Sequence, residues 1–460
     1  MFYRKIILLT ILAAVCLAML GCSGAATNSN SAAAKKDSKP APKLSEKKPV
    51  DDLYLAKTKE NTHQFEYSGY MDKTGKIVID LRKGLKSDSD NKQYMPTGYG
   101  KNKQFLQLTS FVEGLAGFCF GDSTDIYSDS KCGFIDKSGN IVVVPGYRDM
   151  LPFSEGLAAV NSGIGLSRAW GFVDPTGNEV VKGQYENIGS FHDGLAVVEN
   201  KDGKCGYIDK TGKTVVELKY TKVSDFADGL AVVQDGKNFS IIDKTGKEVK
   251  KLENATVYPA KSSYGYFLDP REKHRYGWII AGHEDFLGPF HDGLLKIERA
   301  DKSFAYVGTD GEVRFPMGAP YLEFAGQSSE GFVPVKYSNA EIENLNTKLG
   351  KDRVSEMRDC IFLDADGKSK HSFYGDLAPF SEGFAGVVKH QKDSREDRWG
   401  FINTSFETAI PPIFEKVSAF EGGLAWVRVP PDSVGFEGFK DTNWEGYIDT
   451  AGKPVIPQWQ

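Results

Sequence analysis

One six-residue phrase, Phe-x-x-Gly-Leu-Ala, returns along most of the chain, and that repetition limits the fold more than any local motif does. It stands at 111–116, 153–158, 191–196, 226–231 and 420–425, with Phe384 replacing Leu at 380–385 and a close variant at 290–295. With degenerate copies at Gly265 and Gly331, the marker glycines are Gly114, Gly156, Gly194, Gly229, Gly265, Gly293, Gly331, Gly383 and Gly423, a period near 38 residues with insertions. A 460-residue chain with such a period is an array of small units. Its 40% hydrophobic content supplies a buried core and excludes disorder throughout.

A second phrase alternates with the first. It reads Trp/Cys-Gly-Phe/Tyr-Ile-Asp-Lys-Thr-Gly-Lys and then two or three aliphatic residues, with clear copies carrying Asp72, Asp136, Asp174, Asp209, Asp243 and Asp449. Worn copies put Gly308, Asp364 and Asn403 in the Asp place, and Tyr276 to Ile280 matches the front half alone, which makes about ten hairpin phrases. The first has no partner phrase unless Leu53 to Lys57 supplies a worn one. Runs such as 195–199, 206–209 and 214–218 are short, β-branched and bounded by Gly, Asp and Lys, as strands are. Asp209-Lys210-Thr211-Gly212 reads as the turn between two of them. Each unit is therefore expected to hold about three antiparallel strands.

Within the third run, one face carries Cys132, Trp170, Cys205, Phe239, Phe304, Cys360 and Trp399, followed by the aromatics Tyr70, Phe134, Phe172, Tyr207, Trp278 and Tyr447. The other face carries Gly133, Gly171, Gly206 and Gly400, then an aliphatic residue. Both faces need cover that one unit cannot provide, so units must stack on their neighbours.

Trp170-Gly171-Phe172-Val173-Asp174 and Trp399-Gly400-Phe401-Ile402-Asn403, paired with the Gly-Leu-Ala phrases, resemble the bacterial WG-repeat family over about residues 67–460. The resemblance implies an all-β protein of tandem repeats in a propeller-like or superhelical array, with an open β-solenoid as the alternative. It implies little about function, because the shared residues are scaffold residues.

The N-terminus reads as an address. Arg4 and Lys5 precede an apolar run from Ile6 to Leu20, too short for a permanent span and suited to a secretory signal over residues 1–21. Met19-Leu20-Gly21-Cys22 resembles a bacterial lipobox, which makes Cys22 the expected acylation site and lipid the expected membrane attachment. Residues 22–50, rich in Ala, Ser, Lys and Pro, read as a disordered tether, and 51–460 as the array. The expected location is the extracytoplasmic side of a bacterial envelope.

Chemistry is sparse. Cys132, Cys205 and Cys360 share a place with Trp and so read as packing, while Cys119, on the preceding strand, stands to form a disulfide with Cys132 across a hairpin. His192-Asp193 and His291-Asp292 occupy turn positions filled elsewhere by Ser154-Glu155 and Ala227-Asp228. Gly165-Leu166-Ser167-Arg168-Ala169 misses a nucleophile elbow by its last Gly. Asp364-Ala365-Asp366-Gly367 imitates part of a calcium loop but offers too few oxygens, so turn formation is the reading. Neither a catalytic residue, a metal site nor a cofactor site is expected.

A net charge of -5 gives no ground for nucleic-acid binding. Individuality lies in three insertions, 82–103, 338–358 and 430–443; the second has Ile342, Leu345 and Leu349 at helical spacing, and Arg271 to Arg275 adds a small basic loop. The expected function is a non-catalytic binding or scaffolding surface for an envelope protein or polymer. The alternatives are an enzyme or enzyme-associated lipoprotein with a site built from inter-repeat loops, and a structural spacer.

Overall fold

A computed structural model describes residues 53–57, 67–86, 93–95, 104–122, 131–163, 167–257, 286–300, 304–317, 322–326, 328–337, 360–373, 376–389, 398–431 and 444–458. The signal run, Cys22, the tether, residues 338–358, Arg271 to Arg275, Gly265 and Tyr276 to Ile280 lie outside them. Nine small antiparallel sheets form a ring, a nine-bladed β-propeller; eight have four strands and the first has three. The blades cover residues 54–80, 104–147, 149–185, 187–220, 222–252, 255–317, 322–373, 377–414 and 416–455. Among the described residues there is no α-helix, and one 3-10 turn, Leu81–Lys83, follows the first blade.

Four strands per blade, instead of the expected three, arise from a short element ahead of each Phe-x-x-Gly-Leu-Ala phrase. In four blades it is only two residues long: Asp149–Met150, Lys222–Val223, Ala255–Thr256 and Lys416–Val417. Two residues cannot display an alternation, so the element is invisible as a pattern. In order along the sheet, each blade is a simple meander of first, second, third and fourth strands.

The phrase itself is a tight hairpin joining first and second strands. Its acidic residue and its Gly both take positive φ, 55° at Glu155 and 86° at Gly156, the pairing a type I′ turn needs. The Asp-Lys-Thr-Gly phrase joins third and fourth strands. Asp209 Oδ1 accepts from the backbone N of Thr211 at 2.9 Å, from Thr211 Oγ1 at 2.6 Å and from Lys213 N at 3.1 Å. In the copy at Asp174, the bond from Thr176 and its backbone neighbours hold the carboxyl down at about 2.

The Gly of the Trp-Gly pair has a different cause from an uncovered face. Trp170 pairs with Tyr185 and Phe172 with Val181, so the fourth strand bulges as it passes Gly171. A Cβ on Gly171 would lie 2.3 Å from the Val181 carbonyl oxygen, and one on Gly206 would lie 2.5 Å from that of Val216. Backbone occupies the space a side chain would need.

Blade joins blade through aromatic pairs. The third-strand aromatic of one blade meets the turn Phe of the next: Tyr70–Phe111, Phe134–Phe153, Phe172–Phe191, Tyr207–Phe226, Phe362–Phe380 and Phe401–Phe420, with centroids 4.6–4.9 Å apart. Such tilted and edge-on pairs add about 0.5–1.5 kcal/mol each beyond the area they bury. The ring closes where the last blade meets the first: Gln458 N donates to Gly75 O at 2.7 Å, and Tyr54, Ala56, Met71, Leu424 and Val455 share one core.

Candidate functional site

Seven acidic residues precede the Gly of the first hairpin, and each carboxylate reaches the same hairpin one blade further on. Glu113 accepts from Glu155 N at 2.8 Å and Gly156 N at 2.7 Å; Glu155 accepts from Gly194 N at 3.0 Å; Asp193 accepts from Gly229 N at 2.7 Å. The relay continues from Asp228 to Gly293 N, Asp292 to Gly331 N and Glu330 to Gly383 N, and ends with Glu382 on Gly422 N and Gly423 N at 2.6 and 2.8 Å. Left-handed backbone at a non-Gly residue is unfavourable by about 1–2 kcal/mol. A charge-assisted bond to backbone N–H, about 1.5–3 kcal/mol, offsets it.

Sequence reading placed these residues in turns but missed the relay. The signal was present, since the position before the marker Gly is Glu or Asp at seven of the nine places, Tyr264 and Gly422 being the exceptions. A turn alone would favour Asn or Gly there, so a carboxylate at seven places of nine asks for a partner.

The same geometry accounts for His192-Asp193 and His291-Asp292. Asp193 and Asp292 are relay members, His192 Nε2 lies 3.8 Å from Asp225 Oδ2 across the blade boundary, and burial keeps the His291 imidazole below its usual value. In blades that have Ser at the His place, Ser154 and Ser381 donate to the carbonyls of Phe191 and Phe420, at 2.6 and 2.8 Å.

The oxygens of Asp364 are likewise engaged within the protein: Oδ1 accepts from Asp366 N and Lys368 N, and Oδ2 lies 3.0 Å from Lys370 Nζ. Among the described residues, no group of three His, Cys, Asp or Glu is placed to hold a metal ion.

Cys119 and Cys132 are direct cross-strand partners joined by a disulfide, their Cα atoms 4.1 Å apart. Cys205 and Cys360, in the same place as Cys132 within their blades, are buried and not disulfide-bonded.

The meander divides the ring into two unlike faces. First-to-second and third-to-fourth turns emerge on one face, and both are short and internally bonded in every blade but the sixth, whose first and second strands, Ala255–Thr256 and Leu294–Arg299, are joined by residues 257–293. Second-to-third loops and the links between blades emerge on the other. The strands that lead into all three insertions run toward that second face: 82–103 follows the fourth strand Ile77–Asp80, 338–358 the second strand Phe332–Tyr337, and 430–443 the second strand Leu424–Val429. Part of the first insertion is a small hairpin, Leu85–Lys86 with Gln93–Met95. Loops of unequal length on one face, opposite a face of short turns in all blades but the sixth, suit a binding or scaffolding surface.

No curated protein matches this chain. Among solved structures, a eukaryotic initiation factor is 8% identical over 81% of this chain and 94% of its own, at a TM-score of 0.46. BamB from Moraxella catarrhalis is 10% identical over 70% and 91%, at 0.33. The WD40 β-propeller domain of Doa1 is 11% identical over 61% and 88%, at 0.26. The model of the WG containing repeat matches at residues 133–163, 170–205, 206–239 and 399–429. Each match begins in or just before the third strand of one blade and continues into the next blade, so the sequence repeat straddles the boundary that the relay and the aromatic pairs secure. At these four places, the ring is built of WG repeats.

Proposed function

We propose that the ring is a non-catalytic docking platform of the bacterial cell envelope, held to a membrane by acylated Cys22, and that an envelope protein or polymer binds its insertion-bearing face. The exit of all three insertions on one face carries this reading. On the opposite face the carboxylates before the hairpin Gly are engaged in holding blade to blade. Signal-like residues 1–21 and the lipobox-like Met19-Leu20-Gly21-Cys22 support the anchor, and the Lys-rich segment to residue 50 has the composition of a spacer.

Two experiments test it. Metabolic labelling with palmitate should mark the wild type and leave Cys22→Ala unlabelled; equal labelling of both refutes the anchor. Cross-linking in intact cells should yield a reproducible adduct that is lost when 338–358 or 430–443 is replaced by a short Gly-Ser loop and retained when a turn-face residue such as Lys210 is changed. Adducts that ignore both loops refute the assignment of the face.

A further inference from the structure

The first blade has three strands, β1 (Tyr54–Lys57), β2 (Tyr67–Met71) and β3 (Ile77–Asp80), and its β1 corresponds to the second strand of every other blade. Leu53, Leu55 and Lys57 therefore turn their backbone groups to the side where each other blade has its first strand, and among the described residues no strand lies there. At the place of Leu55, Gly117 N donates to Thr109 Oγ1, Val232 N to Ser224 Oγ and Trp426 N to Ser418 Oγ, at 2.8–2.9 Å, while the backbone N of each hydroxyl residue donates back to the carbonyl.

The side chains around this edge are altered to match. Tyr54 stands where six blades have Ala: Ala116, Ala158, Ala196, Ala231, Ala385 and Ala425. Its ring takes the part of the missing turn Phe, 5.8 Å from Tyr447, and its hydroxyl donates to Gly422 O. Tyr447 is nevertheless half-buried, whereas Tyr70, Phe134, Phe172, Tyr207, Phe362 and Phe401 in the same place are at most 1% exposed. Trp426, also half-buried, occupies the position from which a Cβ on Gly117 would meet Met150 and one on Gly386 would meet Val417, first-strand side chains of the following blade.

The chain's own preceding residues do not match the slot. They end at Leu53, the mouth of the slot, and in the shared register they put Pro49 at the turn-Phe position. Glu46 falls where other first strands bury Leu108, Met150, Ile188, Val223, Leu377 or Val417.

We propose that the β1 edge is an acceptor site for an extended segment of a partner protein, bound as the missing first strand, with Ser or Thr opposite Leu55 and an aliphatic residue against Trp426. The occupant would continue an interface that eight blades already show. This site rests on the platform reading of the ring but not on the insertion face.

The probe is a synthetic peptide copying residues 220–225, Tyr-Thr-Lys-Val-Ser-Asp, which stops short of the Phe whose place Tyr54 holds. Titrated into the full chain, it should bind saturably and slow hydrogen exchange in the peptide spanning Leu55 by about tenfold or more. Leu55→Pro should weaken binding at least tenfold; Pro334 holds the equivalent place in the seventh blade, so the strand tolerates it. A peptide with Ala for Ser should bind several-fold more weakly. Absence of saturable binding, or binding indifferent to Leu55→Pro, overturns the proposal. So does protection of Leu55 without peptide, whether abolished by deleting 44–52, which makes the chain itself the occupant, or rising with protein concentration, which makes it a second copy. Peptide binding measured in the two loop-replacement variants separates the sites: retention there leaves this proposal standing even if the insertion face binds nothing.

Discussion

The boundary between the third and fourth blades and the seam between the ninth and first perform the same task with different residues. At the former, Phe172 meets Phe191, Ser154 reaches the Phe191 carbonyl and Glu155 reaches Gly194. At the seam the turn Phe is absent, Gly422 stands where the relay has its acid, and Tyr54, grown from the usual Ala position, bridges to Tyr447 and Gly422. A repeat boundary is therefore specified by one phrase meeting the next. Ring closure, which comes once and joins the chain's two ends, is specified by exceptions to the phrase.

The largest test of that contrast is truncation of the aromatics. Phe191→Ala should lower stability by about 3–5 kcal/mol in urea unfolding, as buried Phe truncations do. Tyr54→Ala should cost about half as much, because its neighbour is already half open to water. Equal losses would make the seam an ordinary boundary.

Next come the glycines of the third strand. Gly171→Ala drives a methyl into a backbone carbonyl and should cost about 1–3 kcal/mol. Gly446→Ala meets first the Trp444 ring, 2.4 Å away but able to turn, because the fourth strand of the last blade, Pro454–Val455, ends opposite Tyr447 and does not pass Gly446. It should cost less than half as much; a reversed order would remove the bulge as the reason for the Trp-Gly pair.

A smaller, pH-dependent effect separates blades three and four. Asp149 and Asn187 hold the same place, and each side-chain oxygen accepts from the next backbone N, at 2.8 and 3.0 Å. Burial pushes the Asp149 carboxyl up to about 7, against the pull of Arg168 and Arg148. A raised folded value favours the protonated form, so this residue's share of stability is full below about pH 4 and is lost as pH rises to about 7. Asp149→Asn should therefore be nearly neutral at pH 4 and stabilise on the order of 1 kcal/mol at pH 8, measured by urea midpoints; no pH dependence in the difference would remove the cause.

Smallest is the relay. Glu155→Gln keeps an acceptor, gives up charge and the Lys210 contact at 3.1 Å, and should cost about 0.5–1 kcal/mol, while a further acid at the seam has no counterpart to lose. A null result by hydrogen exchange at Gly194 would make the carboxylates incidental.

Much of this was legible in advance. The all-β array, the Asp-Lys-Thr-Gly turns, the packing role of Cys205 and Cys360 and the turn role of both His-Asp pairs followed from residues recurring at one place. The two-residue first strands did not, because an element of two residues carries no period. Nor did the relay: its carboxylates lie 36 to 65 residues from the N–H groups they bind, and no local rule pairs them.

Closure is the clearest case of a property beyond the linear pattern. Periodicity determined by itself that each unit must lean on its neighbours, since one small sheet has two faces to cover. It left ring and superhelix equally open, because both satisfy every neighbour-to-neighbour contact. The choice rests on the angle accumulated over nine boundaries, and it shows only where residues 53–80 and 416–458 come together and Tyr54, Tyr447 and Gln458 meet partners from the opposite end of the chain.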